Sequence, residues 1–185
     1  MLNGLKYETV RSRRKDRKTY INIECGFDIE TTSMYHGEEK VAFMYAWVFG
    51  IKDKIYRGRT WEDFLLLCEK LQEHFELGED RVLTCYVHNL AFEFQFMRKY
   101  FEFSEVFSMD SRKPIKALSH YGIEFRDSLV LSGMNLENLA KNLTSHTIDK
   151  KVGDLDYSLI RHSETELTEQ EWGYIESDVL IILYY

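Results

Sequence analysis

Proline is almost absent: Pro114 stands alone in 185 residues. With 10 glycines and no Pro-, Gly- or Ser-rich stretch, collagen-like and low-complexity chains are excluded and nothing marks a linker. Cysteine is equally sparse. Cys25, Cys68 and Cys85 are odd in number and far apart, with no CxxC, which argues against a disulfide framework or zinc knuckle and fits a reducing compartment. No apolar run approaches the roughly 18 residues of a membrane span. The opening MLNGLKYETVRSRRKDRK lacks the apolar core of a signal peptide, so the expectation is a non-membrane, cytoplasmic protein. The six histidines show no HxH or HxxxH spacing, and GxGxxG, P-loop and GxSxG motifs are missing. A histidine zinc site, a nucleotide held by a glycine-rich loop and a serine-hydrolase elbow therefore have no support.

Apolar material is plentiful. Hydrophobic residues make up 44% and aromatics 15%, with 12 Tyr and 12 Phe, enough for one domain with a sizeable core. The net charge of −7 is unevenly spread: residues 1–20 hold seven basic groups against two acidic ones, leaving residues 21–185 at −12. A basic N-terminal arm over 1–18 on an acidic body, 19–185, is the expectation. Such an arm can touch a polyanion, and some of the body's carboxylates can be balanced by bound cations.

Pattern places the elements. Thr19–Glu30 reads as a strand carrying chemistry at its C-terminal end, and Val41–Ile51 as a central strand with Lys54–Arg59 as hairpin partner. Thr60 caps a helix running to Phe75. Arg81–Val87 is a buried strand, Asn89–Tyr100 a helix with Asn89 as N-cap, and Phe103–Phe107, Ile115–His120 and Ile123–Arg126 are short strands. Helices follow at Asn135–Leu143 and Thr168–Tyr185, the last opened by a capping box, Thr168 to Glu171. The predicted class is α/β, a mixed sheet flanked by helices in two or three layers.

Four carboxylates fall in three places. In Phe27-Asp28-Ile29-Glu30, residues two apart share a strand face, so Asp28 and Glu30 point together while Ile29 points into the core. Adjacent carboxylates repel, and a divalent cation with oxygen ligands relieves them. Glu93 follows Asn89 by four positions on the next helix. Tyr174 and Asp178 are likewise four apart on the last helix, with Ile175, Val179 and Ile182 as the buried stripe beside them. Taken singly, each has an ordinary reading: a polar strand end, a solvated helix residue, a surface pair. Phe92, Phe94 and Phe96 read equally well as core. Asp154 and Asp156 read as a turn leading into Tyr157.

In order, however, the three places resemble the DxE, NxxxFD and YxxxD motifs of proofreading nucleases with an RNase H-like fold. The resemblance is nearest to the exonuclease domain of protein-primed, phage-type family B DNA polymerases. DIETT, HNLxF, Asp127-Ser128-Leu129, GDLDY ending at Tyr157, and YIESD carry it over roughly residues 19–185. It implies that Asp28, Glu30, Glu93 and Asp178 bind two divalent ions, Mg²⁺ or Mn²⁺, one activating water and one stabilising the leaving 3′ oxygen. Tyr174 would orient that water. Thr31, Asn89, Phe92, Ser128, Leu129 and Tyr157 match positions that hold a single-stranded DNA 3′ end, where stacking accepts any base.

The pattern departs at two points. Glu93 stands where most relatives have Asp, and Val152 where the family has a catalytic lysine, a role Lys151 or Lys150 can take by a small backbone shift. Palm, fingers and thumb motifs are absent, so the expectation is a monomeric piece of a longer polymerase, with a free-standing nuclease-like protein as the alternative. Its partners would be the rest of that enzyme and a terminal primer protein, in a phage or bacterial host cytoplasm. The competing readings are a catalytically weak module binding single-stranded DNA or the primer protein, and an RNA-directed nuclease of the same fold.

Overall fold

The computed structural model describes every residue except 1, 3, 14, 16 and 149–154. In chain order the elements are β1 (Glu8–Arg11), β2 (Thr19–Asn22), β3 (Cys25–His36), β4 (Glu39–Ile51), β5 (Lys54–Gly58), α1 (Trp61–Phe75), β6 (Arg81–Val87), α2 (Leu90–Met97), β7 (Phe103–Ser108), β8 (Pro114–Ser119), β9 (Ile123–Asp127), α3 (Ser128–Ser132), α4 (Leu136–Lys141) and α5 (Glu169–Tyr184). Among the described residues the strands form one mixed sheet. Its order is β5-β4-β3-β6-β9-β8-β7, with β2 beside the first half of β6 and β1 outside β2. β3, β6 and β9 run parallel at its centre, and the hairpins on either side are antiparallel. The α/β class with a mixed, helix-flanked sheet is as the pattern predicted.

Strand alternation sorts the side chains into two layers. Phe27 and Ile29 of β3 face α1, where Phe27 stacks on Phe64 with ring centroids 4.3 Å apart. Trp61, Phe64, Leu67, Cys68, Leu71 and Phe75 make the buried stripe of α1, and Thr60 caps it by accepting from the Asp63 N–H at 3.2 Å. The opposite face carries α5. A Cβ at Gly26 would lie 3.3 Å from Ile182 Cγ2 and 3.5 Å from Val179 Cγ1, so the row Gly26, Asp28, Glu30 looks at this helix. Tyr45, Ala46 and Val48 of β4 pack there with Tyr174, Ile175, Val179 and Leu183. α4 covers the outside of α5 through Leu136, Leu139, Ala140, Ile181 and Ile182.

Several elements differ from expectation. Described residues of the 1–18 stretch lie against the body. Leu2 and Leu5 are buried in the larger core, β1 pairs with β2, and Lys18 is 5% exposed with its Nζ 2.6 Å from Glu105 Oε1. An ion pair to a distant strand accounts for a cation that would otherwise be too costly to bury. β3 continues six residues past Glu30, with a bulge between Glu30 and Thr31 against β4, so the acids sit mid-strand. α2 ends at Met97 rather than Tyr100, and α3, a single turn capped by Asp127, was not foreseen. Among the described residues no helix is long and apolar enough to cross a membrane.

Candidate active site

Asp28 and Glu30 sit on β3 facing α5; Asp28 is half-buried and Glu30 is buried. Tyr174 and Asp178, one turn apart on α5, are both buried on the same side of the sheet. The fourth carboxylate arrives from the other layer. β6 ends at Val87, Asn89 turns the chain, and Glu93 lies in the first turn of α2, 3% exposed.

Burial pushes the Glu93 carboxyl well above the usual carboxylate range; its own backbone N–H pulls back, and the charges of Asp127 and Glu30 push it further up. Its Oε2 has no hydrogen-bond partner among the described residues. Asp127, which the sequence marks only as part of a matching tripeptide, is 4% exposed. Its place follows from register: Asp127 pairs with Val87 where β9 lies beside β6, and its Oδ1 accepts from the Val130 N–H at 3.0 Å. Tyr45, on β4, belongs to no motif in the sequence. Its ring is 1% exposed and its hydroxyl has no partner among the described residues. Burial first, then the Glu30 charge, push that phenol up. Glu30 therefore stands within electrostatic reach of Glu93 and Tyr45, each holding a buried polar atom without a partner, in a setting where such atoms are costly.

The remaining expected residues take the following places. The Tyr174 and Tyr157 hydroxyls are 3.0 Å apart. Burial, that bond, and the charges of Glu30 and Asp178 push the Tyr157 phenol up. Thr31 follows the bulge on β3, half-buried. Asn89 is exposed; although it occupies the N-cap position its φ is 73° and its side chain makes no capping bond, so the expected cap is not formed. Phe92 is 43% exposed, tilted against Phe96 at 5.3 Å, whereas Phe94 and Phe96 pack on the core. Ser128 is buried, its Oγ 3.1 Å from His88 Nδ1 and donating to the Val87 carbonyl at 3.4 Å. Leu129 is half-buried beside it in α3. Asp156 accepts from Ser158 through both its N–H and its hydroxyl, at 2.9 and 2.6 Å, which is the expected turn. Lys150, Lys151, Val152 and Asp154 lie outside the described residues.

The donor set is oxygen only, and the buried Glu93 carboxyl keeps one oxygen without a partner among the described residues, which suits a hard divalent cation such as Mg²⁺ or Mn²⁺. Among the described residues no three His, Cys, Asp or Glu side chains converge into a ready-made cage.

No family model and no characterised protein matches the sequence, but solved structures match the fold. Phi29 DNA polymerase complexed with single-stranded DNA superposes with a TM-score of 0.67 at 20% identity, over 87% of this chain and 30% of the polymerase. This chain has the fold of a segment of Phi29 DNA polymerase. The ternary complex of Phi29 DNA polymerase with primer-template DNA and incoming nucleotides gives 0.64, again at 20% identity and with the same coverage; the orthorhombic form of the enzyme gives 0.62 at 18%. The chain thus spans about a third of the Phi29 polymerase length.

Proposed function

We propose that this chain is a metal-dependent 3′–5′ exonuclease acting on single-stranded DNA ends, the proofreading part of a protein-primed DNA polymerase. The observation that carries the reading is the buried Glu93 carboxyl, with one oxygen unpartnered, beside Glu30 and Asp127 on a fold shared with Phi29 DNA polymerase. A buried carboxylate among carboxylates is unfavourable on its own and becomes favourable when cations bind.

Asp28, Glu30, Glu93 and Asp178 would hold two Mg²⁺ or Mn²⁺ ions. Bound there, such ions supply a water of lowered pKa and neutralise the phosphate and the leaving 3′ oxygen. The protein's own part is positioning. The Tyr174 hydroxyl, tied to that of Tyr157, orients the attacking water. The exposed Phe92 ring offers a stacking face to a terminal base, and Asn89, Thr31, Ser128 and Leu129 hold the unpaired strand. Lys151, outside the described residues, would take the role of the family's catalytic lysine. The rest of a polymerase and its primer protein would be the partners of the whole enzyme.

The test is a 5′-labelled single-stranded oligonucleotide incubated with the chain and Mg²⁺, Mn²⁺ or EDTA, with Asp28→Ala alongside. The expected outcome is a metal-dependent ladder that falls by about 100-fold or more in the variant, the scale of losing one group that stabilises transition-state charge. An oligonucleotide retarded on a native gel but uncut in any metal would establish the binding module instead. A faster ladder from an RNA oligonucleotide would establish the RNA-directed nuclease.

A further inference from the structure

Arg161 is 5% exposed and has no part in the chemistry above. Its contacts point in three directions. Nη2 and Nε donate to Glu171 Oε1 at 2.7 and 3.2 Å, Nη1 donates to the Asp156 carbonyl at 2.6 Å, and the guanidinium lies 5.9 Å from the Tyr45 ring centroid. Glu171 is equally committed: its Oε2 accepts from the Thr168 N–H at 2.8 Å and from the Thr168 hydroxyl at 3.1 Å, closing the capping box of α5. The guanidinium therefore bolts the first turn of α5 to the residue immediately before Tyr157. Glu171 is three positions ahead of Tyr174, so the same bolt fixes both ends of the Tyr157–Tyr174 hydroxyl bond.

We propose that Arg161 is a positioning residue that sets the Tyr157 hydroxyl against that of Tyr174, and that only a guanidinium can do it. Three donors leave the planar head of Arg161 towards two acceptors on different segments, a reach that the point charge of lysine does not reproduce. Besides Arg161, the loop 155–161 is held by the Asp156–Ser158 turn and by Leu155, and Arg59 Nη2 donates to the His162 carbonyl just beyond it at 2.8 Å. Leu155 is buried, but Tyr157, Leu159 and Ile160 are 64%, 54% and 50% exposed. That the bond matters for catalysis rests on the exonuclease reading; that Arg161 makes the bond does not.

The test uses the full chain and two readouts. The first is amide hydrogen exchange without metal or DNA, in Arg161→Lys and in Glu171→Gln, which keeps an acceptor for the capping box. Exchange over 155–161 is expected to quicken by roughly 10-fold or more while peptides from β3, β6 and β9 keep wild-type rates. Unchanged exchange over 155–161 overturns the proposal. So does loss of protection throughout the sheet in both variants, which would make Arg161 a residue of general stability; where one variant unfolds, the other decides. The second readout is hydrolysis at saturating oligonucleotide. Arg161→Lys and Tyr157→Phe are each expected to slow it by about 10-fold, with the double variant no slower than either single one. Losses that multiply overturn the proposal. A wild-type chain that cuts no DNA counts against the exonuclease reading alone and leaves hydrogen exchange to judge Arg161.

Discussion

Asn89 shows how a residue can occupy a capping position without capping. Its φ of 73° puts it in the left-handed region, and its exposed amide makes no bond to the helix it precedes. Asn tolerates that region, Gly adopts it freely and a β-branched residue does not. Asn89→Gly is therefore expected to keep the urea midpoint while weakening hydrolysis of single-stranded DNA, because only the amide is lost. Asn89→Val should cost about 1–2 kcal/mol of stability in the same measurement. Spacing picked out Asn89 and four acids as candidates and the family resemblance suggested their roles, but neither showed their surroundings. The burial of Glu93 and its closeness to Asp127 follow from the register of β6 against β9, a pairing between segments some forty positions apart. Tyr45 and Arg161 were invisible for the same reason: neither belongs to a local pattern, and each acquires its role from a segment far away in the chain.

Among the elements, α1 and α5 were legible because their signals are local: Thr60 and Thr168 sit where caps must sit, and the apolar stripes repeat at helical spacing. β1 and the second half of β3 were not. Glu8–Arg11 is exposed throughout and Thr31–His36 is only partly buried, so neither shows alternation, and both are strands because a partner strand lies alongside. The seating of α5 on the sheet depends on two residues without side chains. A Cβ at Gly50 would lie 2.8 Å from Val179 Cγ1 and 2.5 Å from Leu183 Cδ1. Leu183 can turn away, but valine in a helix is held in one rotamer. Gly50→Ala should lift α5, lowering stability by roughly 1–3 kcal/mol in denaturant titration. Its effect on the hydrolysis rate should exceed its effect on oligonucleotide affinity, since Tyr174 and Asp178 ride on the displaced helix. An unchanged rate would mean that α5 is not seated by this contact.

At the scale of the whole molecule, acid sensitivity follows from where carboxylates are held. The Thr168 N–H beside Glu171 holds its carboxyl below the ordinary value of 4.5, with Arg161 assisting against the effect of burial. A depressed folded value means that the stabilisation is present above the unfolded value and is lost as pH falls through the folded one. The wild-type melting temperature should therefore drop as pH is lowered from 4.5, and Glu171→Gln should start lower but flatten that part of the curve. A parallel drop in both proteins would place the acid sensitivity elsewhere. The same long-range construction has a consequence for synthesis. Asp28 precedes Asp178 by 150 positions, with β3 completed by β6 and covered by α5 only after the residues between them have been made. A nascent chain on the ribosome holds the first acids long before it can hold the last. On the exonuclease reading, the emergence of α5 is the step that arms the enzyme, and a prematurely terminated product lacking that helix is harmless to the DNA around it.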